Sequence, residues 1–129
     1  MKSLVAALAA LCLLSCKSAT PSIVGTWHSY RQGADTEWHF FPDGKLLTMV
    51  NYRGTVVRAS GTYTIKDGVL SMANTDVQEL APTPDSDQVR QKLMERGAIA
   101  VKFNSPFNVT GTIPDSNEPL ILGQINPNP

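Results

Sequence analysis

TVVRASGTYTIKDGVLSMA, running from Thr55 to Ala73, is the stretch that decides the fold. From Thr55 to Ile65, Val57, Ala59, Gly61, Tyr63 and Ile65 fall on one side and Arg58, Ser60, Thr62 and Thr64 on the other. That period of two belongs to a half-buried strand. Lys66-Asp67-Gly68 follows as a tight turn, because glycine takes positive φ without steric cost. Val69 to Ala73 then returns along the first strand. Strand, short turn and returning strand make an antiparallel hairpin.

The same grammar extends upstream. Ile23, Gly25 and Trp27 share one face of a first strand. In Thr36 to Phe40, Trp38 and Phe40 lie together, with Glu37 and His39 opposite. Phe41-Pro42-Asp43-Gly44-Lys45 turns the chain, since proline presets one turn position and glycine supplies another. The next strand, Lys45 to Tyr52, has two comparable faces: Leu46, Thr48, Val50 and Tyr52 against Leu47, Met49 and Asn51. The pattern alone leaves open which one is inner. Arg53-Gly54 leads back into the decisive stretch, so the region reads as a meander of antiparallel strands.

Three segments carry a family resemblance: Gly25-Thr26-Trp27, Trp38 to Lys45, and Gly61 to Met72. Together they resemble the small lipocalin-like domains of bacterial secreted and lipid-anchored proteins. Gly25 and Trp27 match the opening strand, Asp43-Gly44 the first turn, and Gly61, Tyr63 and Leu70 the later hairpin. The resemblance covers residues 23 to 73 and implies an all-β, up-and-down antiparallel barrel, commonly with an apolar interior. In such a barrel Trp27, Trp38, Phe40 and Tyr63 are either core aromatics or the lining of a ligand site. A barrel of this size holds one small ligand or fills with side chains.

After Ala73 the pattern loosens. Asn74 to Leu80 reads as another strand, ended by the proline-containing loop from Ala81 to Asp87. Gln88 to Arg96 reads as a short helix capped by Ser86 or Asp87, because Val89 and Leu93 stand four apart; a strand is the competing reading. Ala98 to Phe103, Phe107 to Ile113 and Leu120 to Ile125 complete the expected strands. The last two are divided by the polar turn Pro114 to Pro119, and residues 126–129 form a tail.

The amino terminus gives an address. Lys2 precedes an apolar run from Leu4 to Leu14, shorter than the roughly 20 residues of a membrane span and suited to a signal peptide. Leu13-Leu14-Ser15-Cys16 resembles the bacterial lipobox. The resemblance implies cleavage after Ser15, diacylglycerol on the Cys16 thiol, and acylation of the new amino terminus. Cys12 follows bulky Leu11 and leaves with the leader, so the mature chain has neither a free thiol nor a disulfide. Residues 16–22 become a lipidated tether rich in small polar residues. Lys17 next to the cysteine, in place of an aspartate, points to the outer membrane where the cell has one.

The mature chain, 114 of the 129 residues, suffices for one modest domain, residues 23–125. Without Lys2, 10 basic residues stand against 11 acidic ones, which gives no support to a nucleic-acid partner. The only histidines, His28 and His39, have no enforcing metal-ligand spacing, even with Glu37 on the His39 face. Asp35 and Glu37 alone do not make an acid–base pair, and Ser29 beside His28 lacks a nucleophile elbow. Asn108-Val109-Thr110 fits a glycosylation sequon only formally in a bacterial setting. The sequence therefore predicts neither cofactor nor catalytic centre. It predicts a lipid-anchored envelope module, either structural and protein-binding with a filled core, or a binder of a small apolar ligand inside the barrel.

Overall fold

Eight strands in chain order close on themselves in a computed structural model that describes residues 22–114 and 116–125. They are β1 (Gly25–Arg31), β2 (Ala34–Phe40), β3 (Lys45–Tyr52), β4 (Thr55–Lys66), β5 (Val69–Ala81), β6 (Gly97–Ser105), β7 (Asn108–Thr112) and β8 (Leu120–Gln124). Among the described residues one helix, α1 (Ser86–Met94), lies between β5 and β6. Each strand pairs antiparallel with the next, and β1 pairs with β8 through Trp27↔Gln124 and His28↔Gly123. This is the up-and-down barrel that the meander predicts. Its closure uses only residues of the barrel, and closure removes the open edges of a sheet. The leader, Cys16 with the tether through Pro21, and the 126–129 tail lie outside the described residues.

Local chemistry explains the tight connections. Gln32-Gly33, Arg53-Gly54 and Asp67-Gly68 each have positive φ at both central positions. That is the signature of the two-residue turn whose twist matches paired strands. The β2–β3 turn is longer: Gly44 N–H donates to Phe41 O at 3.1 Å, and Lys45 N–H to the Asp43 Oδ1 at 3.0 Å. The face of β3 left open by the sequence is settled by its neighbours. Leu46, Thr48 and Val50 point inward and are buried, because their partners on β2 include Phe40, Trp38 and Thr36.

Two expectations need correction. Asn74 to Leu80 is not a separate strand but the continuation of β5, which runs 13 residues against β4. The pairing steps from Ser60↔Asp76 to Gly61↔Asn74, and from Val56↔Ala81 to Val57↔Glu79. Thr75 and Leu80 are thus extra residues on β5. Bulges of this kind bend a strand and reset its alternation. At the first one, Gly61 lets the backbones touch: a Cβ there would lie 2.0 Å from Ala73 O. The second correction concerns the helix, whose N-cap is Asp85 rather than Ser86 or Asp87, with no side-chain capping bond. The Ser86 hydroxyl is turned back to accept the Thr83 N–H at 2.8 Å.

The core is divided between the two ends. At the end where β1 begins, Ile23, Trp27, Phe40, Leu46, Leu70, Val109 and Leu122 are buried and pack together. Trp27 donates its indole N–H to Ile23 O at 2.7 Å and meets Phe103 edge-on. The indole therefore plugs this end with its one polar atom satisfied. At the other end Val89 of α1 packs with Val50 and Val57, and Leu93, Tyr52 and Val77 lie around them. Asn74 on β5 anchors the helix by donating to Leu93 O at 2.8 Å.

Candidate functional site

Between the plug and the helix the barrel is hollow. A cavity of about 420 Å³ lies there, within the range of small-molecule sites. Its two walls differ chemically. On one side β1, β2 and β3 contribute Ser29, Thr36, Trp38 and Thr48. Ser29 faces Thr36 across β1–β2, and Trp38 faces Thr48 across β2–β3, so the hydroxyls form one strip. On the other side Met72, Ile99, Ile113 and Leu120 make an apolar wall.

The hydroxyl strip is buried and only partly satisfied. Ser29, Thr36 and Thr48 have relative exposures of 3 %, 7 % and 0 %. Ser29 Oγ accepts the Trp38 indole N–H at 2.9 Å, which fixes the indole plane along the wall and leaves the serine proton to donate elsewhere. Thr48 Oγ1 has no hydrogen-bond partner. Leaving a buried hydroxyl unpaired costs about 1–3 kcal/mol.

Charge enters at the mouth. Among the described residues of the lining, Arg31 and Lys92 are the charged ones, and both are cationic. Arg31 is steadied by donating Nη2–H to Ser116 Oγ at 2.7 Å. Lys92 projects from the last turn of α1, where a cation also complements the helix dipole. Among the described residues that line the cavity there is no histidine, cysteine or carboxylate.

The four aromatics singled out in the sequence separate. Trp38 lines the cavity, whereas Trp27 and Phe40 belong to the packed end. Phe40 links the two regions, stacking on Trp38 at 6.3 Å and meeting Tyr63 edge-on at 4.9 Å. Tyr63 lies outside the lumen, along a shallow depression with Thr62, Met72 and Gly97. Its hydroxyl donates to Phe41 O at 2.6 Å. Burial, and secondarily the Asp43 carboxylate, push its phenol above the ordinary value of 10.0.

The histidines face outward and are occupied locally. His28 pairs with Asp35, and His39 Nδ1 meets Thr26 Oγ1 at 3.0 Å with Glu37 at 3.6 Å from its other nitrogen. Among the described residues no group of three or more His, Cys, Asp or Glu side chains converges. Sequence reading missed Ser29, Thr36 and Thr48 as a set. Their signal was small hydroxyl residues on the same faces as Trp27, Trp38 and Leu46, where purely apolar residues would fill a core.

No protein-family model matches this chain, and no curated protein compared with it matches either.

Proposed function

We propose that this protein binds a small amphipathic molecule in the barrel lumen without transforming it. The observation that carries the reading is the cavity of about 420 Å³ itself, with Trp38 and the Ser29 and Thr36 hydroxyls on one wall and Met72, Ile99, Ile113 and Leu120 on the other. A core serving only as a scaffold would be packed to the density of a protein interior, without a space of this size. The opposed walls favour a ligand with a flat apolar face and a hydrogen-bonding edge. Arg31 and Lys92 favour an anionic group at the mouth. The lipobox-like leader adds an address: a lipid anchor on Cys16 would hold this binding protein at a bacterial membrane facing the envelope.

The test uses two dyes of one shape, anilinonaphthalene sulfonate and its uncharged parent phenylnaphthylamine, followed by fluorescence titration. Both should bind one per chain, with the sulfonate tighter. Arg31→Gln with Lys92→Gln should remove that advantage, and Thr48→Phe, which fills the lumen, should block both dyes. Absence of saturable binding, or binding that survives Thr48→Phe in a folded protein, would overturn the proposal. The anchor is tested separately by the intact mass of the membrane-extracted protein. A mass without acyl groups on the chain starting at Cys16 would refute it.

A further inference from the structure

The end of the barrel plugged by Trp27 is also the end from which the amino-terminal segment leaves, since β1 starts there at Gly25, opposite Phe40. The same end carries the β2–β3, β4–β5 and β6–β7 turns. Five large apolar side chains project from it: Val24, Phe41, Ile65, Val69 and Phe107, each 38–48 % exposed. They belong to separate segments joined by main-chain bonds. Val101 N–H donates to Gly68 O at 2.8 Å, and Gln124 N–H to Phe107 O at 2.9 Å. Tyr63 ties β4 to Phe41. The side chains therefore sit on a stiff rim, although nothing in the barrel core requires them to be apolar.

Charge at this end is mixed but tilted positive. Lys45, Lys66 and Lys102 are exposed against Asp43 and Asp67, a surplus of one positive charge, and the Asp43–Lys45 pair at 3.8 Å leaves that balance unchanged. Exposed apolar side chains with lysines between them match a bilayer surface: the former reach past the headgroups, while the latter stay with anionic phosphates. The tether sets the geometry. Only five residues separate Cys16 from Ser22, so an anchor on Cys16 holds this end, and not the helix end, against the lipid.

We infer that the rim formed by Val24, Phe41, Ile65, Val69 and Phe107 docks on the lipid surface and orients the barrel, with the cavity mouth facing away from the membrane. The inference rests on the anchor reading given above for its biological setting. Docking turns a flexible leash into a fixed stance, and leaves the lumen open to ligands arriving from the aqueous side.

The experiment separates docking from natural lipidation. The chain from Cys16 to Pro129, whose barrel closes through its own strands, is coupled by the Cys16 thiol to a maleimide-bearing lipid. The vesicles are phosphatidylethanolamine with phosphatidylglycerol. Hydrogen exchange is then compared with that of the uncoupled chain. Residues 41–44, 66–69 and 105–107 should exchange several-fold more slowly on vesicles, while 31–34 and 52–55 stay unchanged. Phe41→Ser with Ile65→Ser and Phe107→Ser should abolish that protection. Because all three side chains are already exposed, melting should move little, and each single variant is a fallback. Protection that is missing, equal at both ends, or retained in the serine variants would overturn the inference, whatever the intact mass says about the natural anchor.

Discussion

Replacing Thr48 by valine tests the wall behind the cavity. The two side chains share branching and shape, so strand conformation and packing are preserved. What changes is one hydroxyl that is fully buried and unpartnered. Its desolvation costs about 1–3 kcal/mol, so Thr48→Val should stabilise the free protein by about 1–2 kcal/mol. For a domain near 100 residues that corresponds to a rise in Tm of roughly 4–8 °C for each kcal/mol. Binding should change little, because no face of Thr48 is accessible from the lumen. Urea unfolding gives the first quantity and dye titration the second. A variant no more stable than the native protein would mean that the hydroxyl is already satisfied, as by an ordered water. Affinity weakened severalfold would refute the sealed position of Thr48, since the ligand would then reach its hydroxyl.

Other consequences follow from the same coordinates. Gly61→Ala would set a Cβ 2.0 Å from Ala73 O and 2.6 Å from Asn74 Cα, both backbone atoms, so a loss of about 3 kcal/mol or more is expected in urea unfolding. Stability within about 0.5 kcal/mol of native would show that the β4–β5 bulge can relax. Trp27→Ala removes the plug and its bond to Ile23 O, and should cost about 3–5 kcal/mol by the same measurement. The Tyr63 phenol is held above its unfolded value near 10.0, so the folded state keeps that proton longer. Its contribution to stability is complete below about pH 10 and is lost as pH rises through the folded value. Tyr63→Phe should flatten that part of the alkaline stability curve, and an unchanged slope would refute the assignment.

Much of the barrel was legible because alternation and turns report local physics. Asp67-Gly68 and Asp43-Gly44 set hairpins, and the faces of β1, β2 and β4 follow from a period of two. Gln32-Gly33 carries the same positive-φ turn with a weaker signal, and β2 accordingly begins at Ala34, two residues before the alternation is evident. Reading failed at Asn74 for a specific reason. Extra residues at Thr75 and Leu80 shift the phase of β5, so one long strand looks like two.

The sequence by itself determined the class of fold, the antiparallel meander up to Ala73 and the Asp-Gly turns, all of which depend on neighbours a few residues apart. Only the tertiary structure decided that the barrel is packed at one end and hollow at the other. It also decided that Trp38 lines the cavity while Trp27 fills the core, and that Ser29, Thr36 and Thr48 form a single strip. Whether space inside a closed sheet is filled depends on residues brought together from eight strands and a helix. Alternation records which way each side chain points, but not what stands across from it.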